Sequence, residues 1–391
     1  KAKTKSPVIT QKIKYLNNLD YFVKGKCDFK KDINKPIFTI ILTISNGNTN
    51  YIYESINSVL SQTYENVEFI LIDHGTTGEA KNLIDQTLKN NPNIVLIRVR
   101  KNTVDYSSKN VFDAVIRLWD AGLFASKGDY VYCLSYDDKL SNNYVEKMVD
   151  LFKKDSQCLT VAPRVVSINE NSIINERNTN SLDARNRRLK YTEGLKLVES
   201  FINKGDQISA PGGVLAANSL LVINSGGFDL LNDFTQIIRF GVNGRSGYDP
   251  TASLFWRHHS KQNNKLCRIH GVITYYSTIS IISTYEIYDL YQRIAGKNFA
   301  QVIINYFNQL AINGVYTDIR NCTKYSIFGG LRALVRIKNQ CPNDIFIRSI
   351  LIFIKCIAIL PFENIFKIII FIFGREARKK IRLFLFKNEN I

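Results

Sequence analysis

Short apolar runs alternate with helically spaced segments between Ile37 and Val99, and this alternation constrains the fold more than any other feature. Ile37-Phe38-Thr39-Ile40-Ile41-Leu42-Thr43-Ile44 is almost wholly β-branched or aliphatic and stops at Ser45-Asn46-Gly47-Asn48. That is the pattern of a buried strand ended by turn residues. From Tyr51 to Gln62, residues Ile52, Ile56, Val59 and Leu60 recur at helical spacing. A strand pattern returns at Val67–Ile72, a helical one at Ala80–Lys89, and a strand again at Asn93–Val99. Strands alternating with helices predict an α/β domain with a mostly parallel sheet, flanked by helices and built from right-handed crossovers.

The next strand signal carries the chemistry. Tyr130-Val131-Tyr132-Cys133-Leu134 is aromatic and β-branched, is preceded by Gly128-Asp129, and runs into Ser135-Tyr136-Asp137-Asp138. Two adjacent carboxylates are costly to bury unless positive charge lies beside them. Ligands of open α/β sheets bind beyond the carboxyl ends of the strands, and hard divalent cations favour oxygen ligands. Asp73, which ends the Val67–Ile72 strand, falls on the same sheet edge. The plainer reading is a solvated turn in which Asp138 caps the following helix, near 142–152.

The 391 residues suffice for more than one folding unit, and an apolar fraction of 45% excludes a disordered chain. A formal net charge of +18 suits phosphate-bearing ligands, nucleic acid or an anionic membrane face. The seven cysteines are scattered with no CxxC pair, so neither a zinc ribbon nor a disulfide framework is indicated, and a reducing compartment is expected. The four histidines form no HExxH pattern.

In order along the chain, Thr39-Ile40-Ile41-Leu42-Thr43-Ile44-Ser45-Asn46, Ser58-Val59-Leu60-Ser61-Gln62-Thr63-Tyr64, Asp73-His74-Gly75-Thr76-Thr77 and Ala125-Ser126-Lys127-Gly128-Asp129-Tyr130 leading into Asp137-Asp138 resemble the nucleotide-sugar-binding half of family 2 glycosyltransferases. The second piece is similar to S-V-L-x-Q-T-Y and the third to a D-x-G-S-T turn. The resemblance implies a GT-A fold, the Rossmann-like architecture of nucleotide-diphospho-sugar transferases, and an inverting, nucleotide-sugar-dependent hexosyltransferase of class EC 2.4. It implies that Asp73 accepts hydrogen bonds from the donor base, most often uracil, and that Thr43, Ser45 and Asn46 line the nucleotide pocket. The alternative for Asp73 is capping of the turn at Gly75. Asp138, with Asp137, would hold Mg²⁺ or Mn²⁺ against the donor diphosphate.

The resemblance has departures. Where the family shows D-x-D, the first position here is Ser135, which makes Asp138 the expected direct ligand and leaves Asp137 to the sugar or to water. The family's donor-facing Arg is replaced by Lys109, in Ser108-Lys109-Asn110, or by Arg117. Ala210-Pro211-Gly212-Gly213 is expected to border the acceptor, ahead of a Gly226-Gly227-Phe228-Asp229 turn. The general base would be Asp233 or Asp249. Asp249 is preferred, because Ala252 to His258 reads as the helix expected after the base; its alternative is an N-cap ahead of Pro250. His258 and His259 read as a surface helical pair, one of which could touch phosphate or metal. The family's late basic residue near an S-I-S triplet has no match beside Thr278-Ile279-Ser280.

The chain divides on this reading into an N-terminal helical or linker extension, 1–35, a GT-A domain, 36–284, and a helical, basic C-terminal region, 285–391. Asn169–Arg188 reads as a long polar loop. No stretch of about 20 uncharged apolar residues exists, so no transmembrane span is expected. The tail Arg375–Lys387 is basic and amphipathic, as suits the anionic inner face of a membrane or a protein surface. The resulting expectation is a cytoplasmic, peripherally membrane-associated transferase. It would use a UDP-sugar donor and a glycan or lipid-linked acceptor in surface polysaccharide biosynthesis. A catalytically degenerate nucleotide-sugar-binding partner is the alternative. Nucleic acid is not an expected partner, since no recognition motif accompanies the charge.

Overall fold

The computed structural model describes residues 21–24, 34–104, 113–186, 189–204, 216–225, 227–228, 238–239, 241–260, 262, 267–272 and 285–359. The chain divides into two compact units. The first takes Lys1–Asp105, Asn110–Ser260 and Leu290–Gly296; the second takes Tyr106–Lys109, Lys261–Asp289 and Lys297–Ile391.

The first unit is built on a mixed, ten-stranded sheet. Its strands are β1 (Tyr21–Lys24), β2 (Phe38–Ile44), β3 (Val67–His74), β4 (Val95–Val99), β5 (Tyr130–Ser135), β6 (Lys139–Leu140), β7 (Cys158–Ile168), β8 (Tyr191–Glu193), β9 (Ala216–Asn218) and β10 (Arg245–Arg257). The order is β1-β4-β3-β2-β5-β9-β7-β10-β6, with β8 also paired to β10. Neighbours β4, β3, β2 and β5 run parallel, as the alternation of elements predicts, and β10 is parallel to β7. Strand β9 is inserted antiparallel between β5 and β7. Helices α1 (Thr49–Leu60), α2 (Gly78–Asn90), α3 (Asp113–Ala125), α4 (Tyr144–Lys154), α5 (Glu176–Arg185), α6 (Gly194–Lys204) and α7 (Ser219–Asn224) connect the strands.

The all-apolar strands predicted from sequence are the buried ones. Ile41, Ile70, Ile72, Ile97 and Val131 form one core with Leu118 and Leu123 of α3. Each such side chain contributes about 1.5–3 kcal/mol on leaving water. The register sets the ends of the strands level. Thr43 lies opposite Ile72 and Ser135, and Ile44 opposite Asp73. At the other edge, Gly128 lets the chain pass against β2, where a Cβ would overlap Thr39 Oγ1.

Several expectations change. The extension 1–35 contains a strand, β1, paired antiparallel with β4. The polar stretch after β7 holds α5, capped by Asn175, whose side chain accepts from Asn178 N–H at 3.2 Å. Residues 252–258 are not a helix. Residues 252–257 continue β10, with a register shift between Asp249 and Ser253 around Pro250, and His258 follows the strand.

In the second unit, α9 (Lys297–Tyr325), α10 (Ile327–Gln340) and helical residues 343–359 supply the expected helical C-terminal region. A short helix, α8 (Tyr285–Ala295), precedes them in the chain, its residues from Leu290 onward belonging to the first unit. The Gly329-Gly330 pair does not break α10. A Cβ at Gly329 would overlap Arg268 O, and one at Gly330 would overlap Thr323 Oγ1. The pair therefore marks close packing rather than a turn. No helix among the described residues is long and apolar enough to cross a membrane. The tail Arg375–Lys387 lies outside the described residues.

Gly128→Ala should lower the free energy of unfolding by about 1–3 kcal/mol, because the added methyl has no space. Urea titration of the variant against the native chain measures this; an unchanged midpoint would contradict the close approach to Thr39.

Candidate active site

The site is assembled at the carboxyl ends of β2, β3, β5 and β10. Asp73 closes its strand almost fully buried. Its Oδ1 accepts from Thr76 N–H at 2.8 Å, so the turn-capping role holds, and its Oδ2 accepts from Arg98 Nε at 2.5 Å. Gly75 takes φ +65°, a conformation that favours glycine, and packs where a Cβ would overlap Asn102 N. Asn46 joins the end of β2 to this turn, accepting from Thr77 N–H at 2.8 Å. Thr43 is buried and Ser45 half-buried beside it. Among the described residues, Thr43 Oγ1 and Thr76 Oγ1 have no hydrogen-bond partner.

His74 turns from this edge into the protein, where Nε2 accepts from Thr103 N–H at 3.1 Å. Burial pushes its pKa down to about 4, against the pull of the Asp73 charge.

The paired carboxylates have separate surroundings. Asp138 is buried, and its Oδ1 accepts from the backbone N–H of Arg257 at 2.8 Å. It does not cap α4. Burial, then the charge of Asp137, push its carboxyl well above the usual range, with Arg257 opposing. Asp137 is more open, with 19% of its side chain exposed, and its Oδ2 lies 3.0 Å from His259 Nε2. Tyr136 packs over the β2 loop, where its ring occupies the space a Cβ on Gly47 would need.

Arg257 ties these pieces together. Its side chain is wholly buried at the end of β10. Nε donates to Asp137 O at 2.8 Å, and Nη1 donates to Ser172 Oγ at 2.9 Å and more weakly to Asn169 O and Glu170 O, both at 3.3 Å. Nη2 pairs with Glu54 Oε2 at 2.8 Å. The Tyr51 ring covers the guanidinium at 4.4 Å and lies 5.3 Å from the His259 ring. Glu54 Oε2 also accepts from Lys139 Nζ at 2.9 Å and Ser172 Oγ at 2.6 Å. Burial alone would raise the Glu54 pKa; bonds from Ser172, Lys139 and Arg257 bring it down to about 2.

The sequence reading therefore missed Arg257 and misplaced His259. The two histidines are not a helical pair: they follow a strand, and His259 is buried against Asp137. The structure does not bring Asp249 to this cluster. Asp249 pairs with Pro163 of β7, whereas Arg257 pairs with Ile168. That five-residue step separates them by about 16 Å along the sheet. Asp249 accepts from Thr251 N–H and Oγ1, at 2.8 and 2.6 Å, within its own bulge. Arg117 lies on α3. Lys109, Gly212, Gly213, Asp229, Asp233 and 278–280 lie outside the described residues.

Residues 39–206 match the model of Glycosyl transferase family 2. The matched segment holds Thr43, Asp73, Asp137 and Asp138, and ends before β10. An "uncharacterized glycosyltransferase" of Haemophilus influenzae is 27% identical over 128 residues, 33% of this chain and 47% of that protein. One from Rickettsia prowazekii is 30% identical over 125 residues, 32% of this chain and 35% of that protein. The chain thus spans less than half the length of these curated relatives. Staphylococcus aureus TarS 1-349 in complex with UDP-GlcNAc superposes with a TM-score of 0.50 at 11% identity, over 80% of this chain and 89% of that one. That likeness is one of fold.

Two outcomes follow from the geometry. Glu54→Gln should cost about 2 kcal/mol, below the usual 3–5 for breaking a buried pair because Glu54 is partly exposed. This loss should be present above about pH 4.3, the unfolded value, and fade as pH falls towards 2, where the native carboxylate itself protonates. For His74, the unfolded chain takes the proton first on acidification. Native stability should therefore fall as pH drops from about 6.5 towards 4, and His74→Gln should flatten that slope in urea midpoints between pH 7 and 5.

Proposed function

We propose that the chain is an inverting glycosyltransferase of GT-A type, moving a sugar from a nucleoside-diphosphate donor to a hydroxyl of a glycan or lipid-linked acceptor. UDP-sugars are the first donors to test. The observation that carries this reading is the convergence, at one sheet edge, of the Asp73 turn with the Asp137–His259 pair held by Arg257. The family 2 match over 39–206 supports it, as does the fold shared with a protein solved with UDP-GlcNAc.

Asp73 would face the donor base, with Thr43, Ser45 and Asn46 around the nucleoside. The partnerless hydroxyls of Thr43 and Thr76 give a ligand something to bond. The diphosphate would lie towards Asp137 and His259. No group of three or more metal-ligating side chains occurs among the described residues. A Mg²⁺ or Mn²⁺ that also binds diphosphate needs only one or two carboxylates, and the more exposed Asp137, with His259 beside it, is better placed than the buried Asp138. Such an ion would neutralise charge on the departing nucleotide. Lys109 remains a candidate phosphate contact, and Gly212 and Gly213 remain candidates for the acceptor side.

A general base must reach the acceptor hydroxyl at hydrogen-bond range. The separation of Asp249 from Asp137 favours Asp233, the other carboxylate downstream of Gly227-Phe228. Phe228 N–H donates to the buried Asp120 at 2.7 Å, which anchors the start of that segment. A role in surface polysaccharide assembly at the inner face of a membrane fits a lipid-linked acceptor.

The test is calorimetric titration of UDP, GDP and CDP with and without Mn²⁺. UDP should bind in a metal-dependent way, and Asp137→Ala should weaken binding by about tenfold or more. Absence of nucleotide binding by the native chain would sink the proposal. With a donor in hand, Asp233→Asn should lower kcat by about 10²-fold or more while leaving UDP affinity unchanged, and Asp249→Asn should retain turnover. The reverse pattern would return the role to Asp249.

A further inference from the structure

A groove of about 520 Å³ opens on the first unit between α1 and the edge strand β6. Its lining includes Tyr53, Asn57, Ser61, Asn142, Ile174 and Phe255, with Glu54, Lys139 and Ser172 at one end. It includes none of Thr43, Asn46, Asp73, Asp137 or His259, so it is separate from the proposed donor pocket. Its volume lies within the range of small-ligand sites.

We propose that this groove binds a neutral sugar unit of the acceptor glycan, a reading that rests on the transferase function above. Three features select that ligand class. The first is charge. In a chain of net charge +18, the lysine lining the groove is neutralised by Glu54 at 2.9 Å. A phosphate-bearing or acidic ligand would have to break that pair. The second is the lining chemistry. Tyr53 is 56% exposed although aromatic, and Phe255 also lines the groove. Asn57, Asn142 and Ser61 add amide and hydroxyl groups to the lining. A sugar ring has a C–H face that packs on aromatic carbon and a hydroxyl rim that bonds amides and hydroxyls. The third is the backbone of Ser172. It takes φ +60°, alone among the described non-glycine residues. Such strain persists where surrounding bonds enforce it, often at functional sites. Here Ser172 Oγ is held by Glu54 and Arg257 at the groove's end.

The groove therefore abuts the proposed catalytic edge through Glu54 and Ser172, which line it and both bond Arg257. Glu54 lines it, and Arg257, bonded to Glu54, donates to the carbonyl of Asp137. A glycan lying here would place a unit remote from the reacting hydroxyl while the chain continues towards the sheet edge.

Saturation-transfer NMR tests this with maltotetraose, cellotetraose and chitotetraose as neutral probes and tetragalacturonate as the charged control. UDP binding is measured on the same samples. At least one neutral probe should bind, and Tyr53→Ala and Asn57→Ala should each weaken it by about tenfold without changing UDP affinity. Three outcomes would overturn the groove: no neutral probe binds to protein that binds UDP, both variants bind the probe unchanged, or tetragalacturonate is preferred. Loss of UDP binding with probe binding intact would instead remove the transferase reading and keep the groove as a sugar site.

Discussion

A buried guanidinium organises the candidate-site edge of the sheet. Arg257 reaches no solvent, yet its charge is paired and all three of its nitrogens donate, to the Asp137 turn, the 169–172 loop and α1. An arginine suits this position because its planar fork bonds several oxygens at fixed angles, which an ammonium cannot reproduce. Burying such a charge costs several kcal/mol unless its partners are in place, so the three segments assemble together or not at all. The Tyr51 ring then closes the remaining face and reaches His259 as well.

The first four parallel strands could be read from residues because they are buried on both faces. Phe38–Ile44 is buried at every position, and continuous apolar runs of that length have few alternatives. Strand β10 could not be read in the same way. It is long, carries Pro250, and only its two ends hold register with β7; the interruption between Asp249 and Ser253 absorbs the proline. A proline after an aspartate looks like a helix start, and that local rule lost to pairing across the sheet. Helix α5 was hidden for the opposite reason. Only Thr179 and Leu182 of it are buried, so it shows almost no apolar period.

The error at β10 carried the site with it. Once 252–258 is taken as helix, Arg257 and His259 fall on different faces and neither points to the carboxylates. As a strand, Ala252 and Leu254 bury while Ser253 and Phe255 are half-buried. That alternation was present in the sequence, and following it past Trp256 would have directed attention to the basic residues at the strand's end. The Asp73 turn and the Asp137-Asp138 pair were legible because strand, turn glycine and carboxylate are contiguous there. The partners of Asp137 come from more than a hundred residues away, and only the sheet order brings them close.

Adjacent carboxylates that look equivalent in sequence are made unequal by this arrangement. Asp138 points inward, accepts from the Arg257 backbone and is pushed towards its neutral form by burial and by its neighbour. Asp137 points to the open edge, with an imidazole as its partner. Two ionised carboxylates side by side would repel, and the burial of Asp138 leaves Asp137 the more exposed of the two. The backbone of Ser135 still shapes the turn, accepting from Asp138 N–H at 3.2 Å, while Asp137 Oδ2 lies against His259 Nε2. The carboxylate expected from sequence to be the direct ligand is thus the buried one, bonded to the Arg257 backbone, and the residue beside it is the more exposed.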